Sequence, residues 1–188
     1  MLSKEMRKHE IEEDLKGEGD FVQIDHLNRF LKESLSMDTK KFVYLKLAEI
    51  YEKRSMFSDA AKMCDNAAML SITFSDKVKQ YVKEIELYAK AGFFDRADEA
   101  MKKAIGTASA TEKDRIYASI KDFYKRQAEV YEKELRRSHA VSIYERLLEM
   151  KINDLERQEI KKKLLGLYEK LGKIKEYAAL KRMNIAKE

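Results

Sequence analysis

The 188-residue chain contains no proline and only six glycines. At average usage proline would make up about 5% of it. Its absence excludes collagen-like repeats, proline-rich linkers and Pro-Gly loop architectures. So few glycines argue against a β-sandwich, which needs many tight turns. The single cysteine, Cys64, cannot close an intramolecular disulfide, which agrees with a reducing compartment. It has no neighbouring His or second Cys, so it reads as a small buried thiol. No run approaches the ~20 apolar residues needed to cross a bilayer, and residues 1–15 lack the apolar stretch of a signal peptide. A protein of the cytoplasm, without membrane insertion, is expected.

What is present is charge and helix-forming residues. Hydrophobic residues make up 44% of the chain and charged residues 39%. The apolar share is enough for a core, so disorder of the whole chain is excluded. The net charge of +5 is uneven: residues 1–20 carry −3 and the remainder +8. A basic body with an acidic arm suits a polyanion, or an arm that shields the body's own surface; Lys and Glu are equally ordinary on solvated helical faces.

Capping residues and apolar periodicity predict helices at 24–35, 39–54, 58–70, 76–91, 94–105, 112–135, 138–150, 154–171 and 173–186. Ser58-Asp59, Ser75-Asp76, Thr111-Glu112 and the Asn153–Glu156 segment read as starts, and Gly92, Gly106 and Gly172 as left-handed ends. Connections of two to six residues predict antiparallel packing of neighbours. Residues 1–20 show a broken apolar stripe and then Gly17-Glu18-Gly19-Asp20, so an acidic, flexible arm of frayed helix is expected there, ahead of a domain over 21–188. Helix 24–35 is expected to cover the open end of that domain.

One pattern is written four times: LAEIYEK (47–53), EIELYAK (84–90), QAEVYEK (127–133) and LLGLYEK (164–170). Tyr51, Tyr88, Tyr131 and Tyr168 are spaced by 37, 43 and 37 residues. Nine positions after each tyrosine stand Ala60, Ala97, Ala140 and Tyr177; sixteen after stand Ala67, Ala104, Leu147 and Asn184. Such spacing describes a helix pair in which a bulky tyrosine on the first helix packs against small residues on the second. One pair cannot bury its apolar faces, so copies stack. The extra six residues between the second and third units are expected to lengthen helix 112–135 by about 9 Å.

The recurrence resembles the tetratricopeptide repeat, whose 34-residue unit carries small and aromatic residues at these offsets. Ala48 and Ala128 keep the family's small residue three before the tyrosine, whereas Ile85 and Leu165 do not; Tyr144 is the one late aromatic retained. The proline that closes the family's unit is missing throughout. The resemblance implies an all-α fold: an α-solenoid of about four antiparallel helix pairs with an extra N-terminal helix. It also implies a concave groove lined by each first helix, in which a segment of another protein binds.

Two residues before and two after each tyrosine, that groove receives Glu49 and Lys53, Glu86 and Lys90, Glu129 and Lys133, and Gly166 and Lys170. The same Glu-to-Lys spacing of four is also the favoured helix-stabilising pair. No asparagine stands on these first helices, so the carboxylate clamp of the family's chaperone-binding members is not carried over. The function expected is a non-enzymatic interaction scaffold or adaptor, with a peptide or helix as partner. The alternative is an RNA-binding helical-repeat protein that uses the basic body. Self-association is open, because Met183 and Ile185 leave the last unit without an obvious polar cap.

Catalytic constellations are missing from the sequence. His9, His26 and His139 are scattered, there is no phosphate-binding glycine loop, and no Cys-x-x-Cys pair is present. Neither enzyme activity, cofactor nor metal is expected. The Lys161–Lys163 run and Arg136-Arg137 read as solvated charge.

Overall fold

The computed structural model of the protein describes residues 2–185, with side chains placed as far as Arg182. All secondary structure among the described residues is helical. The elements are α1 (Lys8–Leu15), α2 (Asp20–Phe30), α3 (Met37–Lys53), α4 (Phe57–Met69), α5 (Phe74–Ala91), α6 (Phe94–Thr107), α7 (Ala110–Lys133), α8 (Arg137–Glu149), α9 (Asp154–Leu171) and α10 (Ile174–Ile185). Neighbours in sequence pack against each other: α2 on α3, α3 on α4, α4 on α5 and α5 on α6, then α8 on α9 and α9 on α10. The chain divides into two compact units within α7, Met1–Ile116 and Tyr117–Glu188.

Four hairpins in the chain share one backbone solution. In each, the residue four after the repeat tyrosine is left-handed: Ser55 (φ 58°), Gly92 (φ 82°), Leu135 (φ 59°) and Gly172 (φ 68°). The next amide then donates back to the tyrosine carbonyl, Met56 to Tyr51 at 2.8 Å, Phe93 to Tyr88 at 2.9 Å, Arg136 to Tyr131 at 2.8 Å and Lys173 to Tyr168 at 2.9 Å. This is the Schellman closure, which satisfies a terminal carbonyl and reverses the chain in two residues. The second helix opens six residues after the tyrosine every time, at Phe57, Phe94, Arg137 and Ile174.

Three of the four repeat tyrosines are buried, and Tyr51 is half-buried. Tyr88, Tyr131 and Tyr168 are buried, and Ala60, Ala97 and Ala140 are wholly so. A cation lies over three of the rings: Arg96 at 5.7 Å from the Tyr88 centroid, Arg136 at 4.4 Å from Tyr131 and Lys173 at 5.8 Å from Tyr168. Cys64 is buried in α4, and burial pushes its thiol up to about 12, so it is inert as a nucleophile.

Several boundaries differ from expectation, each for a local reason. Thr73, not Ser75, caps α5, because its side chain accepts the Asp76 amide. Gly106 lies inside α6, which leaves through an extended Ala108 and so needs no left-handed residue there. Helix α7 stops at Lys133 because Leu135 is the left-handed residue of the closing turn. Its 24 residues exceed the 18 of α5 by the six extra residues of that repeat interval.

Residues 1–20 contain α1, whose Ile11 and Leu15 are buried in a core with Leu27, Phe30, Val43, Leu47 and Ile50. Gly17 turns left-handed (φ 86°) and Gly19 caps α2, so the predicted joint is an ordered turn that starts the helix at Asp20. The acidic arm is therefore tied down by apolar burial, to which several side chains contribute about 1.5–3 kcal/mol each. The side chains of Met183, Asn184 and Ile185, on which the unpolar last cap and one repeat position were read, lie outside the described residues.

Candidate functional site: charged faces of the first helices

In the unit Met1–Ile116, α3 and α5 carry four of the expected groove residues. Glu49 is exposed and lies 3.2 Å from Lys46, which also comes within 3.6 Å of Glu12 on α1. Lys53 reaches Asp20 at the start of α2, 2.8 Å away. The acidic N-terminal helices thus meet two lysines of α3 directly. Glu86 is half-buried, while Lys90 is 2.8 Å from Glu52 and 5.7 Å from the Phe57 ring centre. Lys83 grips the other oxygen of Glu52 at 2.8 Å. Burial raises the Glu52 pKa, but hydrogen bonds from Lys83 and Lys90 outweigh it and leave the carboxyl below its usual range.

The second unit, Tyr117–Glu188, holds the remaining three. Glu129 is exposed and 3.4 Å from Lys163. Lys133 and Lys170 are exposed at the ends of α7 and α9. Lys163 also lies 3.5 Å from Glu132 and donates to the Tyr144 hydroxyl at 2.9 Å, and that hydroxyl donates in turn to Glu132. Helix α9 offers Glu159, Lys162, Lys163, Gly166, Leu167 and Lys170 to a cleft of about 460 Å³, which Glu132 of α7 also lines.

The structure therefore distributes the expected residues unequally. Lys90 is drawn into a bridge within its unit, Lys53 is engaged by α2, and Lys133 and Lys170 stand at the surface. Sequence reasoning missed the residues that bridge neighbouring first helices. Glu52 is paired with Lys83, and 80 residues later Glu132 is paired with Lys163. Lys41 holds Asp76 and, again 80 residues on, Lys121 holds Glu156 at 3.1 Å. Hydrogen bonds from Lys125, the Asn153 amide and Lys121 lower the Glu156 carboxyl to about 2. Tyr131 and Tyr168 likewise follow Tyr51 and Tyr88 by 80 residues, so that interval was the signal which could have exposed these pairs.

Glu84 was also missed. It sits on the buried stripe of α5, only 3% exposed, with Oε1 3.3 Å from Lys103 and Oε2 without a hydrogen-bond partner among the described residues. Lys103 is held more closely by Asp65, at 2.8 Å. Burial, with the Asp65 charge nearby, raises Glu84 to about 7.

Among the described residues no group of three or more His, Cys, Asp and Glu side chains could hold a metal ion, and no helix is long and apolar enough to cross a membrane. What the faces offer chemically is reversible charge pairing. No family model matches the chain, and no curated protein matches it in sequence.

Proposed function

We propose that this protein is a non-enzymatic scaffold of tetratricopeptide-repeat type, an α-solenoid of four helix pairs whose first helices present a mixed-charge face to a segment of another protein. The observation that carries this reading is the hairpin used four times, with the same left-handed residue, the same closing hydrogen bond and the same tyrosine-to-helix interval. Repetition of a unit, rather than one specialised pocket, suits recognition of an extended partner. A buried, inert thiol fits action in the cytoplasm.

The polyanion reading draws less support. Lys41, Lys83, Lys90, Lys121, Lys125 and Lys163 each lie beside a carboxylate of the same unit, so much of the basic surplus is neutralised locally. A nucleic acid would have to displace those acids.

The test reverses Lys53 and Lys133, both exposed, in the variant Lys53→Glu/Lys133→Glu. Affinity capture from native cell extract, quantified against the wild-type protein, is expected to lose at least one partner by roughly tenfold, about 1.4 kcal/mol of binding. A captured set identical for both proteins would refute the reading.

A further inference from the structure

Gly166 lines the cleft on α9. Eighty residues earlier, the position of Gly166 is occupied by Glu86, one helical turn before Lys90. On α9, Lys162 and Lys170 stand one turn before and one turn after Gly166, so all three share a face. Neither lysine has an ion-pair partner among the described residues, whereas the counterpart Lys90 is bound to Glu52. A side chain started from Gly166 would meet no atom within 4 Å, so the space over the glycine is open. Leu167, Lys163, Glu132 and Glu159 complete the lining.

We propose that this cleft takes a carboxylate from an acidic peptide segment of a partner, seated over Gly166 between Lys162 and Lys170, in the place where the first unit carries its own Glu86. The proposal rests on the scaffold reading and names the partner's chemistry. Two cations a turn to either side of one point match a single negative charge. The lining carboxylates Glu132 and Glu159 limit the negative charge the cleft accepts, so one carboxylate suits it better than a run of phosphates. Leu167 in the lining offers apolar surface to the methylenes of a Glu side chain. Both lysines are exposed, so the pairing weakens with salt.

Fluorescence anisotropy with the whole protein tests this. The probe is a labelled helix-forming peptide with a single central glutamate; its glutamine counterpart and an oligouridylate serve as comparisons. The acidic peptide is expected to bind saturably, the glutamine peptide at least about tenfold more weakly, a difference equivalent to losing the charge pairing. Gly166→Glu, which installs the first unit's own residue, should abolish binding while leaving the melting midpoint equal or higher, because a helical glycine is removed. Lys162→Ala/Lys170→Ala should weaken binding similarly, and Lys102→Ala on α6 should not. Absence of acidic-peptide binding, equal binding of the glutamine peptide, preferential binding of oligouridylate, or binding indifferent to Gly166→Glu each overturns the proposal. Partner capture lost on Lys53/Lys133 reversal but untouched by Gly166→Glu would overturn the cleft alone and leave the scaffold reading standing.

Discussion

At the scale of single residues, the first unit departs from the second most sharply at Glu84. The equivalent position 80 residues on is Leu164, fully buried. A carboxylate in that core position is desolvated, and Lys103, shared with Asp65, does not compensate for it. Its folded-state pKa of about 7 lies above the ordinary value of 4.5. Below pH 4.5 the group is protonated folded and unfolded, and it costs nothing. As pH rises towards 7 the unfolded chain ionises while the folded state keeps its proton, so this contribution falls with rising pH and is fully unfavourable above 7. Glu84→Gln removes the titration. Chemical denaturation at pH 5 and pH 8 should show the variant gaining on wild type with pH, by up to about 3 kcal/mol. An unchanged difference between the two pH values would show that Glu84 is not the group responsible. His139 lies 5.1 Å from the Tyr131 ring, tilted by 49°, where burial and Arg136 lower its pKa.

At the scale of elements, the repeated turn governs how each first helix hands over to its second. The left-handed residue is glycine in two hairpins and Ser55 or Leu135 in the others. A left-handed non-glycine residue costs about 1–2 kcal/mol. Leu135 is 69% exposed, so little burial offsets that strain. Leu135→Gly should therefore raise stability by about 0.5–1 kcal/mol, after the greater freedom glycine gains in the unfolded chain is deducted. The change in the urea midpoint at constant slope measures it. Of the turn, the glycines at 92 and 172 were readable in the sequence because glycine advertises a positive φ. Ser55 and Leu135 were not, since only the closing hydrogen bond to the tyrosine carbonyl forces them there. The N-terminal helix α1 was obscured for a related reason: Ile11 and Leu15 acquire their meaning from Leu27, Phe30 and Leu47, on other helices.

At the scale of the whole molecule, one interval recurs along the chain. The 80-residue interval relates tyrosines, turns and bridging ion pairs alike, and the division between compact units falls within α7. Each unit has its own buried side chains, among them Ile85 in the first and Leu164 in the second. Truncating either to alanine costs about 2–5 kcal/mol. Native-state hydrogen exchange should then report two blocks: Ile85→Ala speeds exchange in residues 2–116 and leaves 117–185 largely protected, and Leu164→Ala does the reverse. Uniform loss of protection across both blocks would show a single cooperative core instead.

The sequence by itself determined the helical class, the hairpin interval and the burial of Tyr88, Tyr131, Tyr168 and the alanines nine residues after the first three repeat tyrosines, though not the half-burial of Tyr51, because these follow from local propensity and a 3.6-residue periodicity that any stretch of chain carries within itself. The charge of the candidate faces was legible too, as the lysine and glutamate positions beside each tyrosine. Only the tertiary structure decided which of those charges are spent. Glu52 takes up Lys90, Asp20 takes up Lys53, and Lys162 and Lys170 keep an open space over Gly166. Ion pairing between helices depends on distances of a few ångströms between residues some 30 positions apart, and desolvation depends on everything packed around a group. Neither is written in the local pattern, and so Glu84 and the Gly166 cleft emerged only when the helices were brought together.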